Sequence, residues 1–88
     1  MQEHLTVSEV TALVKDTLEG ALGPLWVEGE ISNFVAHTSG HFYFSLKDAA
    51  AQLRCVMFRG ANRRLRFTPE DGLLCTALGH ITVYARSG

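Results

Sequence analysis

The sequence predicts a mainly β fold with one N-terminal helix, chiefly because of how its apolar residues are spaced. Over residues 6–20 apolar side chains recur every three or four positions, which is the spacing of one helix face. From Leu25 onward apolar and polar residues alternate, a period typical of half-buried strands. Stretches rich in Gly, Pro, Asp and Ser separate the alternating segments. A chain of 88 residues suffices for one small domain with a thin core.

The first predicted element is the helix over residues 6–20. Thr6 and Glu9 fit a capping box, in which each side chain accepts a hydrogen bond from a free backbone N–H at the start of the helix. Gly20 and the pair Gly23-Pro24 predict its end. The apolar stripe consists of Val7, Val10, Leu13, Val14 and Leu18. We interpret this helix as a lid over one end of the core, with a partner-binding helix as the alternative.

The first strand is predicted over residues 25–32. Gly29 in the middle of the strand indicates a bulge or a sharp coil, as small closed barrels require. One face carries Val27, Gly29 and Ile31, and the other carries Trp26, Glu28, Glu30 and Ser32. A loop of small and polar residues is expected over residues 35–40.

Two further strands are predicted to form a hairpin, over residues 41–47 and 52–58, connected through Asp48-Ala49-Ala50. In the first of them the inward side chains are Phe42, Phe44 and Leu46, and the outward ones are His41, Tyr43, Ser45 and Lys47. In the second we expect Leu53, Cys55 and Met57 to face inward and Arg54, Val56 and Phe58 to face outward, unless a bulge changes this order.

A short helix over residues 60–67, a turn at Pro69–Gly72 and a strand over residues 73–85 complete the pattern, with a bend at Gly79 and the start of another turn at residues 86–88. This order of elements matches four of the five strands of an OB-fold, a Greek-key barrel with a helix between its third and fourth strands. We therefore predict an N-terminal helix and connector over residues 1–24 and an OB-fold barrel over residues 25–88. The fifth strand is missing, so we expect a fragment of a longer protein or a domain truncated by design.

The charges are distributed unevenly, although the net charge is only -1. Residues 41–66 hold six of the eight Lys and Arg residues, opposed only by Asp48. Residues 1–30 hold six carboxylates and the single cation Lys15. A fold that gathers the cations on one face would make that face suitable for a polyanion, whatever the net charge.

An OB barrel binds oligonucleotides across its second and third strands and in the flanking loops. Tyr43 offers a ring on which a base stacks, worth about 1–3 kcal/mol. Arg54 suits a phosphate or a stacked base, whereas Lys47 and Arg59 would follow the backbone as charges. The candidate nucleic-acid-binding residues are His41, Tyr43, Lys47, Arg54, Phe58, Arg59, Arg63 and Arg64, with Arg66 in the same basic run. For any single arginine, a solvated surface position is an equally good interpretation.

The sequence contains no catalytic motif and no motif for a metal. Glu28 and Glu30 share a strand face, but without a nucleophile nearby they fit edge solubility or a partner contact better than acid–base catalysis. His37 and His41 have a spacing that suits a metal only on a helix, and Ser39-Gly40 breaks that helix. We therefore predict no catalytic residue, no metal and no cofactor in this chain.

The remaining compositional features indicate neither a membrane span nor a secretory signal. Cys55 and Cys75 are interpreted as reduced, buried thiols, with a disulfide or a metal pair as the alternative. No apolar run approaches the ~18–20 residues of a membrane span, and the N-terminus lacks the pattern of a secretory signal. We expect no membrane partner.

Three stretches of the chain together resemble one known family. They are WVEGEISNF at residues 26–34, SGHFYFSLKD at residues 39–48 and LRCVMFRG at residues 53–60. Together with Val7–Val10 and Pro69–Gly72 they cover nearly the whole chain, and the set resembles the N-terminal domain of the large subunit of exodeoxyribonuclease VII. Each stretch alone would be weak, but the five in this order are specific.

The resemblance implies an OB-fold domain that engages single-stranded DNA ahead of a separate region that hydrolyses phosphodiester bonds. The implied complex is bacterial and cytoplasmic, degrades single-stranded DNA from either end, and gathers small subunits through regions outside this chain. The family's fifth strand normally pairs with the first and closes the barrel. Without it, we expect the exposed strand edge to pair with another copy, by edge association or by strand exchange.

Two other functions are compatible with the residues. An Arg-rich face with aromatic side chains also suits a protein interface, so a protein-interaction barrel that docks an acidic partner is one alternative. An RNA-binding OB domain, such as the anticodon-binding type of tRNA synthetases, is the other. A self-contained enzyme is the least supported class.

Overall fold

The computed structural model describes residues 4–83. The elements in chain order are α1 (Val7–Ala21), β1 (Leu25–Ala36), β2 (Phe42–Lys47), β3 (Gln52–Met57), α2 (Arg59–Asn62) and β4 (Leu74–Gly79). The four strands form one sheet in the order β3-β2-β1-β4, so β3 and β4 are its edges among the described residues. The predicted mainly β fold with an N-terminal helix is confirmed. The turn expected over residues 86–88 lies outside the described residues.

Helix α1 begins where the sequence predicts. The Thr6 hydroxyl accepts a hydrogen bond from the Glu9 N–H at 3.1 Å, and the Thr6 N–H donates to Oε1 of Glu9 at 2.8 Å. These reciprocal bonds are the predicted capping box, and they hold the pKa of the Glu9 carboxyl below its usual value. None of the 15 residues of α1, all of them described, is buried. The role of this helix as a lid stays a prediction.

Strand β1 extends to Ala36 and contains a bulge that the sequence placed elsewhere. The pairing with β2 changes register between Ser32 and Val35, and Asn33 takes a left-handed backbone conformation with φ of 52°. Asparagine adopts this conformation more readily than most residues, because its short polar side chain bonds locally. The register therefore shows a bulge after Ser32, whereas the bulge or sharp coil expected at Gly29 stays a prediction. The loop expected over residues 35–40 was wrong for residues 35 and 36, which belong to β1.

The bulge turns Phe34 toward the inner side of the sheet. Strict alternation after Ile31 would direct Phe34 outward, but the extra residue reverses its direction. Its ring lies 5.0 Å from the ring of Phe42, edge to face, and 6.4 Å from the ring of Phe44. These rings lie on the same side of the sheet as Leu46, which is buried together with Ile31.

Gly29 serves a close approach between strands. It is buried, and a Cβ on it would lie 3.2 Å from the carbonyl oxygen of Lys47 and 3.4 Å from Cβ of Leu46. Contacts this short are tighter than a side chain normally accepts, so β1 and β2 approach each other here because residue 29 has no side chain.

The hairpin of β2 and β3 closes through Asp48. Its Oδ1 accepts hydrogen bonds from the N–H groups of Ala50 at 2.8 Å and Ala51 at 2.9 Å. Its own N–H donates to the carbonyl oxygen of Ala51 at 3.0 Å. The two bonds to the carboxylate hold the pKa of Asp48 below its usual value.

The expected facing of β2 and β3 is confirmed by their register. Phe44 lies opposite Cys55 and Leu46 opposite Leu53, so the inward residues of both strands share one side. Ser45, predicted outward, has that direction but is only 6% exposed. Its side chain is short and lies on a central strand, so longer neighbouring side chains shield it from solvent.

Both later elements are shorter than predicted. Helix α2 ends at Asn62 rather than near residue 67, because the next N–H groups bond three residues back: Arg64 to Ala61 at 3.2 Å and Leu65 to Asn62 at 3.1 Å. That pattern belongs to a tighter turn. Strand β4 ends at Gly79, so the strand expected to run on past the bend was wrong for residues 80–83, and residues 84 and 85 lie outside the described part.

Two compact units are distinguished by their contacts. One holds the described residues before Glu28 and after Thr76, and within it the Thr82 hydroxyl donates to Oε2 of Glu19 at 2.8 Å. The other is Glu28–Thr76 and contains every candidate binding residue. The division into residues 1–24 and 25–88 stays a prediction.

Candidate nucleic-acid interface

The register of the sheet brings three of the candidate residues onto one face. Tyr43 lies between Val35 and Val56, and the next row toward the hairpin turn joins Ser32, Ser45 and Arg54. The third row joins Glu30, Lys47 and Gln52. Because side chains two apart on a strand point the same way, all three rows lie on the outer side of β1, β2 and β3. We call this surface the outer face.

Tyr43 presents a ring to solvent. It is 39% exposed, and its neighbour Val35 is 52% exposed. The His37 ring packs edge to face against it, with centroids 5.7 Å apart at 80°. His37 is held by a bond from the Ser39 N–H to its Nδ1 at 3.0 Å. The row thus offers a ring with a second ring bracing one edge, which suits a stacked base.

His37 is the residue that sequence reasoning missed on this face. The sequence singles out His37 only through its spacing from His41, which suits a metal only on a helix. The bulge in β1 and the turn that follows set its distance from Tyr43, and no spacing rule reports either feature in advance. The only signal of this contact in the sequence is that His37 carries an aromatic ring and lies in the turn between β1 and β2.

Arg54 lies on edge strand β3 opposite Ser45, and its side chain is exposed. The other two residues of its row, Ser32 and Ser45, have short side chains. The Ser32 hydroxyl is buried and has no hydrogen-bond partner among residues 4–83. This row therefore combines an exposed cation with a buried hydroxyl.

Lys47 stands in acidic surroundings that the sequence did not predict. Glu30 is its cross-strand neighbour. Glu28, Glu30 and Asp48 line the same shallow depression as Lys47, with Gly29, Ala49, Leu74, Cys75 and Thr76. These carboxylates oppose a phosphate at this end of the face, so Lys47 is a weaker phosphate ligand than its charge alone suggests.

Phe58, Arg59 and His41 meet where β3 passes into α2. Nδ1 of His41 accepts a hydrogen bond from the Arg59 N–H at 2.9 Å, so the ring proton of neutral His41 is on Nε2. The ring of His41 packs edge to face on the ring of Phe58, with centroids 5.3 Å apart at 89°. Phe58 is 58% exposed, so it too offers a ring to a ligand.

Arg63 and Arg64 come directly after α2 and are exposed. Arg63 is the C-cap residue, and its N–H bonds to the Arg59 carbonyl oxygen at 3.2 Å. Since α2 is only four residues long, these cations sit on a turn rather than on the side of a two-turn helix. From Arg59 onward the arginines therefore lie outside the strands of the sheet.

The cysteines are free thiols, and both are half-buried. Burial raises the pKa of the Cys55 thiol, which makes it a poor nucleophile. Among residues 4–83 no three His, Cys, Asp or Glu side chains lie close enough to hold a metal ion. In the same part of the chain, no helix has the length and apolar character needed to cross a membrane.

The order and connections of the strands are those of a small OB-type β domain. Comparison with known families agrees, and the chain belongs to the family of the OB-fold nucleic acid binding domain, which matches residues 5–88. The OB-fold predicted from the order of elements is confirmed.

Similar proteins narrow the relationship further. The chain is similar to the exodeoxyribonuclease 7 large subunits of Geobacter sulfurreducens, with 51% identity over 84 residues and 96% of this chain. It is likewise similar to those of Thiobacillus denitrificans, with 59% identity over 68 residues and 77% of this chain, and of Xanthomonas oryzae pv. oryzae, with 45% over 87 residues and 99%. The resemblance drawn from the sequence is confirmed.

These relatives are much longer than the chain. The matched parts make up 19%, 15% and 20% of them, so the chain spans about one fifth of their length.

Proposed function

We propose that this OB-fold domain binds single-stranded DNA along the outer face of β2 and β3. The observation that carries the proposal is the register that sets Tyr43, Lys47 and Arg54 on the same side of two adjacent strands. A flat ring for bases and cations for phosphates are the two features that a sequence-tolerant single-strand site combines. Membership of a nucleic-acid-binding family supports the same reading.

The proposed roles differ along the face. Tyr43 stacks on a base, and Arg54 pairs with a phosphate or stacks beside it. Phe58 offers a second ring at the end of β3. Arg59, Arg63 and Arg64 continue the phosphate track, while Lys47 contributes less because of its acidic neighbours. His41 serves the interface through its contacts with Phe58 and Arg59.

We propose further that this domain is the substrate-holding part of a longer nuclease, because its relatives are named as large subunits of an exodeoxyribonuclease. Hydrolysis then belongs to a later region, and no catalytic residue lies among the 88 residues. In that proposal the protein acts in DNA catabolism in the cytoplasm. The small subunits bind through regions outside this chain.

The open sheet supports a proposal about self-association. Edge strands β3 and β4 carry the exposed apolar side chains Leu53, Leu74 and Leu78. Sheet edges that lack a neighbouring strand, as β3 and β4 do among residues 4–83, associate readily, so we propose strand pairing or exchange between copies of the chain. Sedimentation at rising concentration tests it, and a strict monomer at high concentration would remove the proposal.

Fluorescence anisotropy with a labelled oligothymidylate of about 20 nucleotides, longer than the roughly 4–16 nucleotides that one OB fold covers, tests the binding site. We expect Tyr43→Ala and Arg54→Ala each to weaken binding about five- to 20-fold, as the loss of one stacking or charged contact predicts. Matched controls are Phe67→Ala and Lys15→Ala, which remove an exposed ring and a cation outside the outer face. Equal affinity for all four variants would overturn the site.

Competition separates the alternatives. An oligouridylate of the same length tests RNA, and an acidic peptide tests a protein partner. We expect DNA to be displaced poorly by the peptide. Affinity should also fall with added salt, because each phosphate contact releases counterions. If the peptide displaces the labelled DNA at the same concentration as unlabelled DNA does, the protein-interaction function is favoured instead.

A further inference from the structure

We propose that His41 is a positioning residue for DNA binding, which holds the basic segment after β3 against the loop before β2. The inference rests on the proposed function and deepens it. A histidine beside a nucleic-acid site is usually read as a cationic or stacking ligand. Here the ring nitrogen that faces the protein already has a structural partner.

Two side chains link the loop before β2 to the segment after β3, and we call these links ties. The first tie is the 2.9 Å hydrogen bond from the Arg59 N–H to Nδ1 of His41, 18 residues apart in sequence. Arg59 is the first residue of α2, where a backbone N–H has no partner within its own helix. The His41 ring takes the place of that partner. The half-buried ring is also fixed from the side by Phe58.

A second tie joins the same two segments. Nδ2 of Asn62 donates to the carbonyl oxygen of Gly40 at 2.8 Å and to that of Met57 at 3.4 Å. One amide thus bonds the loop before β2 and the end of β3. Both ends of α2 are therefore attached to the chain at residues 40 and 41.

Gly40 and the Arg59 side chain are closely packed between the two ties. Gly40 has φ of 91°, and a Cβ on it would lie 2.7 Å from Cδ and 3.1 Å from Cγ of Arg59. The aliphatic part of the Arg59 side chain is thus packed on the Gly40 backbone, while the residue as a whole stays exposed.

The consequence is a preorganised site. Tyr43 follows His41 by two residues on β2, and Arg63 and Arg64 follow Arg59 on the turn after α2. The hydrogen bonds between residues 40–41 and residues 59–62 hold the Tyr43 ring, on which a base would stack, in a set position relative to the arginines that would contact phosphates. Order that exists before binding lowers the entropy lost on binding, so the ties favour affinity without touching DNA.

Two pairs of variants test the inference with the same labelled oligothymidylate. His41→Ala removes the acceptor, whereas His41→Asn places Oδ1 close to the position of Nδ1 and lacks Nε2. Arg59→Pro and Arg59→Ala both remove the guanidinium, but only proline removes the N–H. Proline is tolerated at the first helical position, and Phe58, with φ of -70° and ψ of 152°, already has the conformation favoured before proline.

We expect His41→Ala to bind about three- to tenfold more weakly than the wild type and His41→Asn to bind within about twofold of it, as for one lost hydrogen bond. Arg59→Pro should bind weaker than Arg59→Ala by a similar factor. The salt dependence of His41→Ala should flatten, since the loosened cations contact fewer phosphates. Hydrogen exchange of the Arg59 amide should accelerate in His41→Ala but not in His41→Asn.

The outcomes separate the two proposals. If His41→Asn is as weak as His41→Ala, or if the two Arg59 variants bind equally, His41 is not a positioning residue and the inference fails alone. If the wild-type chain does not bind the oligonucleotide, or if Tyr43→Ala and Arg54→Ala bind as the wild type does, the proposed function itself fails.

Discussion

The backbone N–H of Phe34 donates a 2.9 Å hydrogen bond to Oδ1 of Asp71, 37 residues further along the chain. Phe34 lies in the bulge of β1, where the ladder with β2 is interrupted. A bulge leaves a backbone group without its usual partner, and the Asp71 carboxylate supplies one. The turn before β4 therefore stabilises the irregularity that directs Phe34 into the core.

This bond predicts how the bulge responds to mutation. Asp71→Ala should lower the free energy of unfolding by about 1 kcal/mol, because the Phe34 N–H loses its acceptor. Asp71→Asn retains an oxygen at the same place and should lose less. Urea denaturation measures both, with Glu70→Ala as the neighbouring control. A loss in Glu70→Ala equal to that in Asp71→Ala would contradict the account.

Two glycines with nearly the same backbone conformation form a matched pair. Gly40 and Gly72 have φ of 91° and 90°, but only a side chain on Gly40 would meet Arg59. Alanine at either position incurs a strain of roughly 1–2 kcal/mol for the left-handed conformation. Gly40→Ala should additionally displace the Arg59 side chain and destabilise the protein more. Thermal denaturation of both variants checks this order, and a larger loss in Gly72→Ala would refute it.

Gly29→Ala tests the close approach of β1 and β2. The added methyl group would contact the Lys47 carbonyl oxygen at 3.2 Å, so the strands must separate. We expect a loss of about 1–3 kcal/mol in the free energy of unfolding, which is typical of overpacking. Gly60→Ala is the control, because a Cβ there meets nothing within 4 Å. Similar free energies of unfolding for the two variants would contradict this prediction, because they would show that β1 and β2 can move apart without a loss of stability.

The hairpin predicts a dependence on acid. The pKa of Asp48 is lower in the folded protein than its usual value, because two backbone N–H groups bond its carboxylate. The stability it contributes is thus present above the ordinary carboxyl range near about pH 4 and is lost as the pH falls through the folded value. Asp48→Asn should lose less stability than the wild type between neutral pH and acid.

Urea midpoints at neutral pH and at roughly pH 3, below the ordinary carboxyl pKa, measure this effect. Asp16→Asn serves as the control, since Asp16 lies on α1 outside the hairpin. If Asp48→Asn loses as much stability in acid as the wild type does, the bonds to Ala50 and Ala51 are not the source of the acid sensitivity.

The sequence predicted the elements whose signals are local. The capping box of Thr6 and Glu9 marked the start of α1, and the alternation of β2 assigned its inward and outward faces. The same alternation predicted that Tyr43, Lys47 and Arg54 share a side, because pairing within a hairpin follows from its short connection.

The features that the sequence did not predict depend on distant partners. The bulge at Asn33 is stabilised by the acceptor at Asp71, and no local pattern reports a contact 37 residues away. The bracing of Tyr43 by His37 follows from that bulge. Two of the acidic neighbours of Lys47, Glu28 and Glu30, come from a different strand. Charge counted along the chain could not reveal them, because cross-strand register decides which charges meet.

The most direct test of the central claim is an NMR titration of the labelled chain with the oligothymidylate, followed through side-chain signals. The ring protons of Tyr43 and the Nε–Hε group of Arg54 report the outer face, whereas the Phe44 ring and the Met57 methyl group report the opposite side of the same strands. We predict that the signals of Tyr43 and Arg54 shift and saturate while those of Phe44 and Met57 stay in place. Shifts confined to Phe44 and Met57, with the outer face unchanged, would contradict the account.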